Sequence, residues 1–113
     1  MIVGVPTEIK TDEYRVALTP SGVRELGEHD PGSAVQAGAG EGSAISDDDY
    51  RSQGARILPD AQAVFGEADM IVKVKEPQAP EVAMLEPRHT LFTYLHLAPD
   101  PELGQPDGVL LDG

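Results

Sequence analysis

The sequence predicts an α/β domain in which a mostly parallel sheet carries helices on both faces. Short apolar runs of strand length alternate with helix-like segments along the chain, and this alternation is typical of strand–helix–strand units. At 113 residues the chain is long enough for one modest core. Aromatic residues make up only 4% of it, so the core must be built from aliphatic side chains.

The first strand and the first helix are predicted from the residues at their ends. An apolar run over residues 2–5 is halted by Pro6, so we place the first strand there. Thr19 can cap a helix and Pro20 suits its first position, because the ring fixes the backbone angle that a helix needs. Gly27 can end this helix.

The later elements continue the alternation. Ser46 and the three aspartates after it predict the start of a short helix, because acidic groups are favourable at a helix N-terminus. Asp60 can cap a longer helix that reaches about Ala68, and further helices are predicted from Pro80 and from Pro99. The predicted strands after the first are residues 34–37, 55–58, 69–75 and 90–95.

The charge balance and the composition exclude several kinds of partner. Twenty acidic residues against eight basic ones give a formal net charge of -12, which argues against nucleic acid or an anionic membrane as a partner. There is no cysteine, hence no disulfide and no thiolate metal site. The three aspartates at 47–49 point in different directions on a helix, so we predict no metal site. With neither a charged leader nor a long apolar segment, we expect a cytoplasmic protein.

A glycine-rich loop over residues 38–43 invites a dinucleotide-binding interpretation, because it follows a predicted strand. The G-x-G-x-x-G pattern is not met, since position 43 is serine. Glu41 and the aspartates at 47–49 would also repel a pyrophosphate group. We therefore interpret these glycines as residues that allow a tight turn, and we predict no cofactor-binding residue in this chain.

Three side chains that can carry positive charge occur where an α/β domain usually binds its ligand. Lys75 and His96 directly end apolar strand-like runs, and ligands of open α/β sheets bind outside the carboxyl ends of the strands. Arg15 lies in the loop after the first run, and its guanidinium is a planar fork that matches a carboxylate. Together they predict a pocket for a small anion. Lys73 shares a strand face with Lys75, so the pattern alone does not choose between the two lysines.

Each of these residues also has a purely structural interpretation. Arg15 could be a solvated loop residue paired with a neighbouring carboxylate, and Lys75 could be an exposed lysine paired with Glu76. A lone histidine is more often structural than catalytic. His29 and His89 lie in polar, proline-flanked surroundings, so we predict that both are surface residues.

Four segments of the chain carry several motifs of one family in the same order. The segments are residues 7–20, 36–45, 72–77 and 91–97. They resemble the N-terminal, substrate-binding domain of NAD-dependent alanine dehydrogenase, a relative of the proton-translocating nicotinamide nucleotide transhydrogenase α subunit. The resemblance implies a flavodoxin/Rossmann-like substrate domain over residues 1–98, without the nucleotide-binding domain, followed by an irregular, truncated tail over residues 99–113.

The resemblance also implies an activity and the residues that serve it. The complete family enzyme converts L-alanine, NAD and water into pyruvate, ammonia and NADH, and it forms homo-oligomers, commonly hexamers. Arg15 is expected to anchor the substrate carboxylate, Lys75 to contact the keto acid, and His96 to polarise the keto oxygen and move the proton. NAD would be bound by the other domain, so we expect the isolated chain to be inactive.

Two other interpretations predict different behaviour. The chain could be a truncated, non-catalytic fragment or a binding module that needs a complete subunit, in which case the purified chain would form no NADH from alanine. It could also be an unrelated acidic binding module of flavodoxin-like fold. That alternative predicts no selectivity for pyruvate over other small anions.

Overall fold

A single six-stranded sheet organises the chain in a computed structural model that describes residues 1–28, 32–94 and 109–110. The strands are β1 (Ile2–Val5), β2 (Gly32–Gln36), β3 (Arg56–Leu58), β4 (Met70–Lys73), β5 (Thr90–Thr93) and β6 (Val109–Leu110). Their order across the sheet is β3-β2-β1-β4-β5-β6. The first five strands are parallel, and β6 runs antiparallel to β5, so the prediction of a mostly parallel sheet is confirmed.

The helices begin at the capping residues that the sequence indicates. They are α1 (Pro20–Glu28), α2 (Asp47–Ser52), α3 (Ala61–Glu67) and α4 (Ala79–Val82), with a 3-10 turn at Glu41–Ser43. The side-chain oxygens of Thr19, Ser46 and Asp60 each accept a hydrogen bond from the backbone amide three residues further on, at 2.9–3.2 Å. Helix α1 continues through Gly27 to Glu28, one residue beyond the predicted end.

Helices cover both faces of the sheet, as predicted. Alternate strand residues point to opposite faces, so each strand contributes to two separate layers of packing. On one face, β1, β2 and β4 pack against α1 and α2 through Val3, Val5, Val35, Val72, Val23 and Tyr50. On the other face, the sheet packs against α3 through Ala34, Ile71, Leu91, Val64, Phe65 and Ala68.

Helix α3 comes so close to the middle of the sheet that β1 needs a glycine at that point. A Cβ atom added to Gly4 would lie 2.6 Å from the Cβ of Ala68 and 2.9 Å from a methyl of Val64. Both distances are shorter than van der Waals contact. Gly4 therefore allows the close approach of β1 to the end of α3.

Several elements end earlier than the sequence pattern predicts. The strand predicted over residues 69–75 stops at Lys73, since the backbone amides of Val74 and Lys75 donate to the carboxylate of Glu8 rather than to a neighbouring strand. The helix predicted over residues 80–85 is likewise shorter, since α4 spans Ala79–Val82.

The tail is described only in part. The helix predicted from Pro99 and most of the tail predicted as irregular, residues 99–108 and 111–113, lie outside the described residues. Within the tail, β6 adds an antiparallel strand beside β5 that the sequence pattern did not predict.

Candidate functional site

The loops that follow β1, β2 and β4 leave the sheet at the same edge, which we call the carboxyl edge. Four of the eight lysine and arginine side chains of this chain lie there, although the net charge of the chain is -12. They are Lys10, Arg15, Lys73 and Lys75, and each lies within ion-pair distance of a glutamate. The carboxyl edge therefore gathers half of the basic side chains of the chain, each of them beside a glutamate.

Lys73, the last residue of β4, belongs to a buried network of charges. Its Nζ lies 2.9 Å from Glu8 Oε1 and 3.0 Å from Glu81 Oε2. The side chain of Lys73 is 1% exposed and those of Glu8 and Glu81 are 2% exposed. We call these three residues the sealed network. Because all three side chains are almost inaccessible, the ion pairs of Lys73 are closed to solvent, although Glu8 is among the residues that line a cavity beside Arg15.

The sealed network joins three parts of the fold. Glu8 comes from the loop after β1, Lys73 from β4 and Glu81 from α4. In addition to Lys73, Glu8 accepts hydrogen bonds from the backbone amides of Val74 at 2.8 Å and Lys75 at 3.2 Å. Glu81 accepts a hydrogen bond from the backbone amide of Gln78, the residue before α4, at 2.8 Å. The network therefore fixes the backbone just after β4, including the backbone of Lys75.

Arg15, Glu13 and Lys75 form a second, more accessible group, which we call the open cluster. Glu13 accepts hydrogen bonds from Arg15 Nε and Nη2, both at 2.9 Å, and from the Arg15 backbone amide at 2.9 Å. Lys75 Nζ lies 4.0 Å from the same Oε1 of Glu13 that faces Arg15. The Arg15 side chain is 68% exposed and that of Lys75 is 27% exposed, whereas Glu13 is only 4% exposed.

The two cations hold Glu13 in its ionised form. The side-chain hydrogen bonds from Arg15 lower the pKa of the Glu13 carboxyl to about 2, with further help from the Arg15 amide and from the charges of Arg15 and Lys75. The hydrogen bond to Glu13 in turn raises the pKa of Arg15. At neutral pH the open cluster therefore contains two cations and one carboxylate.

Two cavities adjoin the open cluster, and Arg15 lines both. The smaller has a volume of about 240 Å³ and includes Thr7, Glu13 and Gly38 in its wall. The larger has a volume of about 390 Å³ and includes apolar side chains such as Val16. A small molecule with a carboxylate at one end and an apolar group at the other fits such a surrounding, because the guanidinium stands between a polar and an apolar cavity.

The glycine-rich loop supports the Arg15 loop by close packing. Gly38 has a φ of +82°, which a tight turn requires and which other residues rarely adopt. A Cβ atom on Gly42 would lie 2.6 Å from the carbonyl oxygen of Tyr14, and the Ser43 hydroxyl donates to that same oxygen at 3.1 Å. The turn also begins its 3-10 helix with Glu41, which would repel a phosphate. These residues do not fit a dinucleotide, and the predicted tight turn is confirmed.

The structure places the predicted site residues as follows. Arg15 and Lys75 are brought together on one carboxylate at the carboxyl edge. Lys75 does not end β4, since that position belongs to Lys73, which is buried and paired. His96 lies outside the described residues, as does His29.

The prediction that His89 is a surface residue is wrong. His89 is fully buried, and its ring packs edge-on against Phe65 with centroids 6.1 Å apart. Its Nδ1 accepts the backbone amide of Glu86 at 2.9 Å, so the ring proton is on Nε2, which donates to the Phe65 carbonyl oxygen at 2.8 Å. Both ring nitrogens therefore form hydrogen bonds with backbone groups inside the fold. The polar residues next to His89 in the sequence do not indicate exposure of this side chain.

Glu13 was not among the site residues predicted from the sequence. A local signal was available, because an acidic and a basic residue two positions apart can pair across a tight turn. Asp12, which lies in that turn, has a positive φ of 65°, a conformation that aspartate adopts more often than most residues.

Within the described part of the chain, no group of three or more histidine, cysteine or carboxylate residues could hold a metal ion. None of the helices described is both long and apolar enough to cross a membrane.

Comparison with known proteins links the chain to named relatives. The family model for the N-terminal domain of alanine dehydrogenase/PNT matches residues 4–106. An alanine dehydrogenase of Mycolicibacterium smegmatis is 56% identical over 98 residues, which are 87% of this chain and 26% of that protein. An alanine dehydrogenase of Halomonas elongata is 54% identical over 103 residues, which are 91% of this chain and 28% of that protein.

Solved structures have the same fold. The structure of an L-alanine dehydrogenase superposes with a TM-score of 0.79 at 41% identity and covers 91% of this chain and 28% of that one. A transhydrogenase from Sinorhizobium meliloti gives a TM-score of 0.78 at 33% identity over 84% of this chain and 28% of that one. The chain thus spans about a quarter of the length of the relatives that it matches.

Proposed function

The chain belongs to the alanine dehydrogenase/PNT family through its N-terminal domain, and from this premise we propose that it is the substrate-binding portion of an NAD-dependent alanine dehydrogenase. The proposed reaction interconverts L-alanine, NAD and water with pyruvate, ammonia and NADH. One observation carries the proposal: Arg15 and Lys75 converge on one carboxylate at the carboxyl edge, beside a cavity with apolar walls.

Arg15 is proposed to bind the substrate carboxylate. Glu13 accepts hydrogen bonds from Nε and Nη2 on one edge of the guanidinium, and it does not contact the second edge, which carries Nη1. A ligand carboxylate can approach that second edge and accept two parallel, charge-assisted hydrogen bonds. The high exposure of the Arg15 side chain leaves room for this approach.

Lys75 is proposed to contact the keto acid at its oxo end or its carboxylate. The 4.0 Å between Lys75 Nζ and Glu13 Oε1 is too long for a hydrogen bond, so the ammonium retains donors for a ligand oxygen. The backbone of Lys75 is held by Glu8 of the sealed network. The backbone of Lys75 is therefore fixed, while its ammonium group can adjust to the ligand.

His96 is proposed to polarise the keto oxygen and to exchange a proton with it. It follows β5 by three residues in the sequence, and β5 lies beside β4 in the sheet. An imidazole can donate to a carbonyl oxygen and titrates near neutral pH. The family resemblance supports this role, and the residue itself lies outside the described part of the chain.

The remaining parts of the proposal concern NAD, assembly and location. NAD would supply or accept the hydride, and we propose that it binds outside this domain, since the loop at residues 38–43 does not fit a dinucleotide. The complete enzyme is proposed to be a cytoplasmic homo-oligomer, with a hexamer as the family's common form. A second candidate, a binding module that holds keto acid without turnover, is favoured by the same misfit of the glycine loop.

Binding is tested by two-dimensional amide NMR of the 113-residue chain titrated with pyruvate, with acetate as the control anion. Pyruvate is expected to shift amide peaks near Arg15 and Lys75 more strongly than acetate does. Arg15→Ala should abolish the difference, whereas Arg24→Ala on the exposed side of α1 should retain it. Equal responses to pyruvate and acetate would contradict the proposed binding site.

Turnover is tested in a chimera in which residues 1–98 replace the matching segment of the Mycolicibacterium smegmatis alanine dehydrogenase. NADH formation from alanine, followed at 340 nm, is expected in the chimera and should be lost in Arg15→Ala, Lys75→Ala and His96→Ala. Normal kinetics in all three variants would refute the residue assignments. An inactive but hexameric chimera that still binds pyruvate would favour the binding-module alternative.

A further inference from the structure

We infer that Glu13 sets the charge of the open cluster and thereby makes the site select keto acids with one carboxylate over those with two. This inference rests on the proposed function, since it concerns the ligand of the same site. It assigns Glu13 as a positioning and specificity-determining residue. The side chain would act on the ligand through its charge and through Arg15.

Glu13 is held in a fixed position beside Arg15. Its carboxylate is 4% exposed and receives three hydrogen bonds from Arg15, two from the side chain and one from the backbone amide. A carboxylate held on both oxygens by a guanidinium fork is fixed in position as well as in charge. A ligand anion therefore meets Arg15 with Glu13 already in place.

The net charge of the open cluster determines how many carboxylates a ligand can bring. Arg15 and Lys75 contribute two positive charges and Glu13 one negative charge, which leaves the open cluster with a net charge of +1. The other glutamates that form ion pairs at the carboxyl edge contact other cations: Glu8 and Glu81 contact Lys73, and Glu76 contacts Lys10. Glu8 also lines the smaller cavity beside Arg15, and its charge acts on Arg15, so it adds to the negative field that a ligand meets. A monocarboxylate brings the open cluster to neutrality.

A second carboxylate on the ligand would meet an unfavourable field. Once the first carboxylate is bound, the open cluster has no net positive charge, and the additional negative charge would lie near Glu13. The exposed carboxylates of the neighbouring loops, Asp12 and Glu41, add to the repulsion but are screened by water. A like charge about 6–8 Å away in a partly solvated site weakens binding by about threefold to tenfold.

The test compares two ligands of similar shape and different charge. 2-Oxoglutarate carries a second carboxylate, and 5-methyl-2-oxohexanoate carries an isopropyl group in its place. The measured quantity is the dissociation constant of 2-oxoglutarate divided by that of 5-methyl-2-oxohexanoate, both obtained by NMR titration of the 113-residue chain. Pyruvate is titrated in parallel. Glu13→Gln keeps the shape of the side chain and removes its charge, and the number of dispersed amide peaks reports whether each variant folds.

The expected result is that the ratio falls by about threefold to tenfold in Glu13→Gln, because the dicarboxylate gains affinity relative to its singly charged analogue. Glu13→Ala, a second neutral variant, should shift the ratio in the same direction, and Glu13→Asp, which retains the charge, should keep it near the original value. Glu76→Gln is the matched control, since it removes one negative charge at the same edge from a glutamate that pairs with Lys10 and not with Arg15. It should change the ratio less than twofold.

The outcomes separate this inference from the proposed function. If pyruvate binds normally and the ratio is the same in Glu13→Gln and the original chain, Glu13 does not determine specificity, and the proposed function stands. A ratio that changes equally in Glu76→Gln would attribute the effect to overall charge and would also overturn the inference. If the original chain distinguishes no keto acid from acetate, the proposed function itself fails, and the inference fails with it.

Discussion

The sealed network and the open cluster place similar ion pairs at the same edge of one sheet, and they differ in their access to water. In the sealed network one lysine lies between two glutamates, and all three side chains are at most 2% exposed. In the open cluster one glutamate lies between an arginine and a lysine that are 68% and 27% exposed. The arrangement of charges is inverted: the sealed network links three elements of the fold, whereas the open cluster leaves its two cations accessible to solvent.

The physical reason for this division is the cost of an unpaired charge. A buried charge without a partner is strongly destabilising, so each member of the sealed network depends on the others. An exposed cation loses little when a partner leaves, because water replaces the partner. A binding site needs that tolerance, since its ligand must come and go.

The largest effect is expected from breaking the sealed network. Lys73→Met removes the cation between Glu8 and Glu81 and leaves two buried carboxylates facing each other. We expect the free energy of unfolding to fall by about 3–5 kcal/mol, measured by urea denaturation. Lys75→Met is the control in the open cluster and should lower it by less than about 1 kcal/mol. Equal losses in the two variants would contradict the division between the clusters.

The next effect is expected from changing the shape of the cation in the open cluster. Arg15→Lys keeps the charge and removes the planar fork, so the variant cannot hold Glu13 and a ligand carboxylate at once. Affinity for pyruvate should fall by about tenfold to a hundredfold, the loss typical of a charge-assisted pair, while stability changes by less than about 0.5 kcal/mol. Titration and urea denaturation measure the two quantities, and Arg24→Lys on α1 should leave both unchanged.

A smaller effect is expected from removing the second cation. Lys75→Met should weaken pyruvate binding by about fivefold, less than Arg15→Lys, because a lysine acts on the ligand as a point charge without a fixed fork. Raising the salt concentration should reduce the difference between Lys75→Met and the original chain, since the interaction is accessible to solvent. A difference independent of salt would place Lys75 in a buried environment.

The smallest effect concerns pH. The pKa of Glu13 is about 2 in the folded chain and near 4.5 in an unfolded one, so its ionised form stabilises the fold above pH 4.5 and this contribution is lost as the pH falls from 4.5 towards 2. The stability difference between the original chain and Glu13→Gln should therefore shrink over that range. Because Arg15 is exposed, we expect a difference of less than about 1 kcal/mol at pH 6, measured by urea denaturation at several pH values.

The sequence predicted those features that depend on local signals. β1 was predicted from an apolar run and a proline, and the starts of α1, α2 and α3 were predicted from capping residues whose hydrogen bonds reach only three positions. Arg15 was selected by its loop and by the family resemblance.

The sequence could not predict features that depend on distant residues. The end of β4 is set by Glu8, which lies 66 residues away from Val74 in the chain. The burial of His89 depends on the carbonyl oxygen of Phe65, 24 residues away. Strand periodicity gave Lys73 and Lys75 the same pattern, and only the position of Glu8 and Glu81 makes one lysine structural and leaves the other accessible.

The hydrogen bonds that Glu8 receives from Val74 and Lys75 have a kinetic consequence. They close a loop of more than sixty residues, so they form only after β1 and β4 have come together. We therefore expect these two hydrogen bonds to form late in folding. Although these two amides lie beyond the end of a strand, they should exchange their hydrogens with solvent as slowly as the amides within the sheet.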